Sequence, residues 1–131
     1  MEPVWISEDV VQRLHTRAID VGGGSDGLRS PELLVSALAN PSNLWAYGEE
    51  DIFVLAVAHA EALARNHPFV DGNKRSALLT AIVFLKANGW RLKSETKPSN
   101  ADMMVELAQG NVAREVMAEH LRGHADLLGP L

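Results

Sequence analysis

The sequence predicts an all-α fold, a compact bundle of about six helices with at most a minor β element. Three observations point there. Apolar residues recur at helical spacing through most of the chain. Two long stretches, Asp51–Arg65 and Lys74–Asn88, are apolar enough to be buried helices. No repeat, low-complexity tract or linker interrupts them.

Met1–Ile6 reads as an irregular or strand-like lead. Ser7 is a candidate N-cap, and Glu8 and Asp9 suit the positive end of a helix. Val10, Val11, Leu14 and Ala18 carry that helix to about Val21, where "GGGSDG" breaks it. Ser30 caps a second helix with Pro31 in its first position. It holds Leu33, Leu34, Ala37 and Leu38, and the sequence predicts its end near Pro41. A third helix runs from Asp51 to about Arg65 and a fourth from Lys74 to Asn88, where Asn88-Gly89 is a stop signal. "WRLKS" has the look of a short strand, with "VWIS" near the N-terminus as its candidate partner. Pro98-Ser99-Asn100 opens a helix over Ala101–Gln109. Gly110-Asn111 interrupts, and a last helix covers about Val112–Arg122.

Composition narrows the function. A length of 131 residues fits one domain, and 47% hydrophobic content supports a packed core. The net charge of -5 disfavours general nucleic-acid binding, and the absence of cysteine excludes disulfides and cysteine-based zinc sites. No secretory leader and no membrane-length apolar run is visible, so a cytoplasmic location is expected.

Several motifs fail on inspection. Gly22 and Gly27 have phosphate-loop spacing, but Leu28-Arg29 stands where Lys-Ser/Thr is required, and no strand precedes them. A flexible turn is the better reading. His120 and His124 stand four apart but lack the HExxH pattern, and cations near a helix end are ordinary. His15 and His59 have no acidic partner at ligand spacing and read as structural or surface residues. No nucleophile elbow occurs.

The stretch "HPFVDGNKR", His67–Arg75, does not fail. It lies between the two apolar helices and ends at a helix start. Gly72-Asn73 is a turn signal. A helix N-terminus offers free N–H groups and partial positive charge, which favour phosphate, and Lys74 and Arg75 add two cations there. Arg75 can grip a phosphate through two N–H groups. Asp71 is a hard oxygen ligand of the kind that meets phosphates through a shared Mg²⁺. His67 is of the residue type suited to take a proton from an attacking hydroxyl. Phe69 is apolar and is expected to anchor the loop. A tight turn with solvated charges is the bland alternative. Composition alone leaves the two about even, and the ordered combination beside a helix start favours the functional one.

These residues resemble the signature loop of the Fic/Doc superfamily, H-P-F-x-[DE]-G-N-[GK]-R. "ALARN", "SALLTAIVFLKANGW" and "DGLRSPELLVSALANP" resemble its Doc (death-on-curing) branch, and the likeness extends over nearly the whole chain. It implies one Fic/Doc domain over residues 1–131. AMP-transferring Fic enzymes carry a second glycine where this chain has Lys74, and Doc toxins carry lysine. The resemblance therefore implies a toxin that is an ATP-dependent protein Ser/Thr kinase, phosphorylating elongation factor Tu and stopping translation. His67 would be the base and Arg75 the stabiliser of the transferring phosphoryl group. Gly72, Asn73, Lys74 and Arg75 would bind ATP, and Asp71 would hold Mg²⁺. "VGGGSDGLR" takes the place of the family's target-docking flap. A Fic-type AMP transferase is the alternative, since Pro68 and Gly72 are kept as in Fic enzymes, and a non-catalytic binding module is the second. Many Fic enzymes carry an inhibitory helix with the pattern [ST]-x-x-x-E-[GN]. No glutamate here is followed by glycine or asparagine, so a Phd-like antitoxin in trans is expected.

Overall fold

In the computed structural model, which describes residues 1–93 and 96–128, six helices pack together with one short antiparallel pair of strands among the described residues. They are α1 (Glu8–Gly22), α2 (Pro31–Ala46), α3 (Ile52–Asn66), α4 (Asn73–Ala87), α5 (Asn100–Ala108) and α6 (Arg114–Gly123). The strands are β1 (Trp90–Leu92) and β2 (Ala125–Leu127).

Helix α3 is the axis of the molecule. Ten of its 15 residues are buried, and it packs against α2, α4, α5 and α6. That is why its sequence is apolar on every side rather than along one stripe. Phe53, Leu55, Leu63, Phe84, Leu85, Met104, Leu107, Met117 and Leu121 fill the core around it. His59 sits among them, 1% exposed. Its Nδ1 lies 2.8 Å from the Leu55 carbonyl, and its ring is 4.4 Å from that of Phe84. Burial pushes its pKa down to about 4, so the imidazole is neutral in the fold.

Most helix starts follow the capping logic of the sequence. The side chains of Ser7, Ser30, Asp51 and Ser99 accept from the backbone N–H groups of Val10, Leu33, Phe53 and Asp102 respectively. Asp51 also pairs with Arg122 of α6. Burial raises its pKa, but the Arg122 bond and the N–H groups of Phe53 and Val54 outweigh that and hold it low.

Two expectations are corrected. Helix α2 does not stop near Pro41 but runs through it to Ala46. Proline there costs one backbone hydrogen bond, but its ring is buried, and Leu44 and Trp45 in the following turn pack on the core. The strand at Trp90 does not pair with "VWIS". It pairs antiparallel with β2, with Trp90 opposite Leu127, Arg91 opposite Asp126 and Leu92 opposite Ala125. The N-terminal lead packs Trp5 and Ile6 on the core, and its backbone is held by one side chain. Asn88 accepts from Val4 N–H at 2.8 Å and donates to the Val4 carbonyl at 3.0 Å, copying a strand partner with its amide. No described helix is long and apolar enough to cross a membrane.

Candidate active site

The loop between α3 and α4 lines a cleft of about 310 Å³ formed by His67, Val70, Asp71, Gly72, Asn73, Lys74 and Arg75. The candidate base, the carboxylate, the Gly-Asn pair and the two cations of the motif therefore meet in one place.

The local sequence explains how. Helix α3 ends when His67 adopts a left-handed conformation (φ 50°, ψ 56°). Phe69 is buried, as expected of an anchor. Asn73 closes the loop behind it. Its Oδ1 accepts from Phe69 N–H and its Nδ2 donates to the Phe69 carbonyl, both at 3.0 Å. The Asn73 side chain is therefore occupied in shaping the loop, and only its backbone remains for an anion. Gly72 precedes α4 with φ 72°, and no side chain caps that helix. This is the one helix start besides that of α6 where the first N–H groups meet no capping side chain. A helix start of this kind can receive an anion. Lys74 is exposed beside it and Arg75 is half-buried.

Asp71 is exposed, and its pKa is lowered. The largest cause is the Gly72 N–H, which donates to Oδ1 at 2.8 Å, followed by the Ser25 N–H, which donates to Oδ2 at 3.3 Å. Arg75 and His15 contribute further. The carboxylate is thus ionised and oriented, with lone pairs to spare on each oxygen. Among the described residues, no three metal-binding side chains cluster. A single ionised carboxylate beside a phosphate cradle fits Mg²⁺, which keeps several waters and shares phosphate oxygens, better than it fits a metal needing an all-protein cage.

The glycine-rich segment lies against the loop. Val70 N–H donates to the Gly27 carbonyl at 3.0 Å and Arg29 N–H to the Pro68 carbonyl at 2.7 Å, placing Leu28 opposite Phe69 in an antiparallel bridge. The Gly27 carbonyl and the Arg29 N–H are thus spent on the loop. By strand alternation, Leu28 turns its own N–H and C=O the other way. Gly24 shows why glycine is needed: its φ is +113°, and a Cβ there would come 2.5 Å from Asp71 Oδ2. A Cβ on Gly22 would strike the guanidinium of Arg75. That guanidinium donates to the Ala18 carbonyl of α1 at 3.0 Å.

Sequence reasoning missed His15. It is 1% exposed, its ring stacks on Phe69 at 3.8 Å, and its Nε2 lies 2.7 Å from the Asp71 carbonyl. Its Nδ1 is 3.4 Å from Asp26 of the glycine-rich segment. A structural role was expected for it, and its support of the loop was not, because its partner is 56 residues away. His120 and His124 face each other at 4.6 Å near the end of α6, where burial and then the His124 charge lower the His120 pKa.

With this geometry in place, the kinship of the chain is decided by its match to a family model: residues 5–85 fit the one described as Fic/DOC family. This chain belongs to the Fic/DOC family. It is 33% identical over 118 residues to "Protein kinase doc" of Escherichia phage P1, across 89% of this chain and 92% of that protein. It is 36% identical over 107 residues to "Toxin Doc" of Mycolicibacterium smegmatis (strain ATCC 700084 / mc(2)155), across 79% and 82%. Both relatives are Doc proteins, and the chain falls with the Doc branch of the Fic/DOC family.

Proposed function

We propose that this Fic/Doc protein is the toxin of a type II toxin–antitoxin pair and acts as a protein kinase. It would transfer the γ-phosphoryl group of ATP to a threonine or serine hydroxyl of a translation factor, with elongation factor Tu the first candidate. The observation that carries the reading is Lys74 in the first turn of an uncapped helix. It stands where AMP-transferring Fic enzymes keep glycine. A lysine there crowds and recharges the anion nest, which favours presenting the terminal phosphate rather than the α-phosphate to the base. The phage P1 relative bears the name of a protein kinase, which supports the same choice.

The chemistry asks mainly for positioning and charge neutralisation. His67 takes the proton of the target hydroxyl as its oxygen bonds to the γ-phosphorus, and ADP is the leaving group. Gly72, Asn73 and Lys74 form the anion nest: the Gly72 N–H orients Asp71, and the backbone N–H groups of Asn73 and Lys74 cradle phosphate oxygens. Arg75 neutralises charge on the transferring group. Asp71 would hold a Mg²⁺, whose contribution is to neutralise phosphate charge. The outward main chain of Leu28 supports the flap role, since an extended target segment can pair there as an added strand.

An antitoxin of Phd type, with a C-terminal segment that folds on binding, would restrain this toxin. Beside the site, Arg17, Ala18, Val21, Gly22, Leu78 and Leu79 line an apolar groove of about 340 Å³ between α1 and α4. Its place next to Arg75 suits an amphipathic helix that blocks the cleft.

Mass spectrometry of elongation factor Tu after incubation with this chain, ATP and Mg²⁺ tests the proposal. One added phosphoryl group on a threonine or serine is expected. An added AMP would establish the Fic-type reaction instead, and an unmodified factor would remove it as the target.

A further inference from the structure

We infer that Arg29 is the positioning residue of the base, fixing the backbone turn that aims His67. This rests on the reading of His67 as the base of the proposed transfer. His67 is exposed, and the hydrogen bonds it makes run through its carbonyl rather than its ring. The direction of the imidazole is therefore set by the backbone that carries it. That backbone is unusual, since His67 is the one non-glycine residue with positive φ among the described residues. A left-handed side-chain-bearing residue persists when its surroundings over-determine it.

Arg29 supplies that determination. The last carbonyls of a helix lack intrahelical partners and carry partial negative charge. At the end of α3 they meet one guanidinium. Arg29 Nε and Nη2 donate to the His67 carbonyl at 2.9 and 2.5 Å, and Nη2 reaches the Asn66 carbonyl at 3.2 Å. The backbone N–H groups of Arg29 and Ser30 both donate to the next carbonyl, Pro68, at 2.7 and 3.0 Å. Three successive carbonyls, 66 to 68, are thus held from one point. The planar fork of arginine can bridge two carbonyls at once, and the ammonium of lysine does not reproduce that geometry.

The position of Arg29 in the chain gives the clamp a second meaning. It follows Leu28 directly. A target segment paired to Leu28 would be held one residue from the group that orients the base, so target docking and base alignment would share a single short stretch. Arg29 bonds the His67 carbonyl and not its imidazole, so it acts on the base only through the backbone. Its side chain is exposed, so replacing it removes a clamp rather than a piece of core.

The test compares Arg29→Met, Arg29→Lys and Arg29→Gly with the wild type. It reads kcat, KM for ATP, the thermal midpoint and the ring NMR signals of His67. The expected result is a kcat lowered roughly tenfold to hundredfold in Arg29→Met and Arg29→Lys. KM for ATP should stay within about twofold, and the His67 ring signals should shift. Arg29→Gly should regain part of its kcat when guanidinium is added below denaturing concentration. Wild-type kcat with unshifted His67 signals in Arg29→Met would overturn the inference. So would a loss of kcat that follows a lowered thermal midpoint with no guanidinium rescue, which is what a structural role alone produces. If the wild type transferred no phosphoryl group, the proposed function would fail. The NMR signals would still report, independently, whether Arg29 holds His67.

Discussion

At the scale of single residues, the proposed reaction divides the site into groups that would meet the reactants and groups that hold them. His67→Ala is expected to leave the fold intact, because the side chain is exposed. It should abolish target modification and growth arrest, checked by expression in a sensitive host. Undiminished toxicity would refute the base assignment. Gly22→Ala makes a subtler probe. Its Cβ would displace the guanidinium of Arg75, a flexible group, so stability should change by less than about 1 kcal/mol while kcat falls, measured by melting and by turnover. The candidate chemistry of the loop was legible because it is local: the proposed base, the carboxylate, the glycine and the cations lie within nine residues of sequence. Its supports were not. His15 reaches Asp71 across 56 residues and Arg29 reaches His67 across 38, and no spacing rule connects residues that only the packing of α1 and the glycine-rich segment against the loop and α4 brings together. Asn73 shows the reverse limit. Its place in the motif was visible, but not that its amide faces inward to Phe69.

At the scale of elements, α3 carries a buried titratable group with a consequence for stability. His59 has a pKa near 4 in the fold against 6.5 when free. Above 6.5 it is neutral in both states and has no effect. As pH falls below 6.5, the unfolded chain takes up a proton that the folded chain refuses, so stability is lost progressively down to about 4 and levels off below. The loss from this group is ~3 kcal/mol at most. Urea unfolding at neutral pH and at mildly acidic pH should show this decline, and His59→Leu should flatten it. An unchanged slope in that variant would place the acid sensitivity elsewhere. Helix starts were readable from sequence because a cap acts within three residues. The course of α2 through Pro41 and the pairing of β1 with β2 were not. Both depend on burial supplied by distant parts of the chain, which outweighs local preference.

At the scale of the whole molecule, the proposal joins a cleft, a flap and a groove around one loop. The groove beside Arg75 gives a prediction independent of catalysis. Val21 is 74% exposed on its edge, so Val21→Glu should leave the fold and toxicity unchanged. It should weaken neutralisation by the antitoxin by more than about 1 kcal/mol, measured by titration of the purified pair. Expression of the chain alone should arrest growth, relieved by a neighbouring small open reading frame. The central claim is that the chain transfers the γ-phosphoryl group, and it is tested most directly by parallel reactions with ATP labelled at the α or the γ position. The account predicts label on the target protein from γ-labelled ATP alone, and none with His67→Ala. Label arriving from the α position would contradict it and make the protein an AMP transferase.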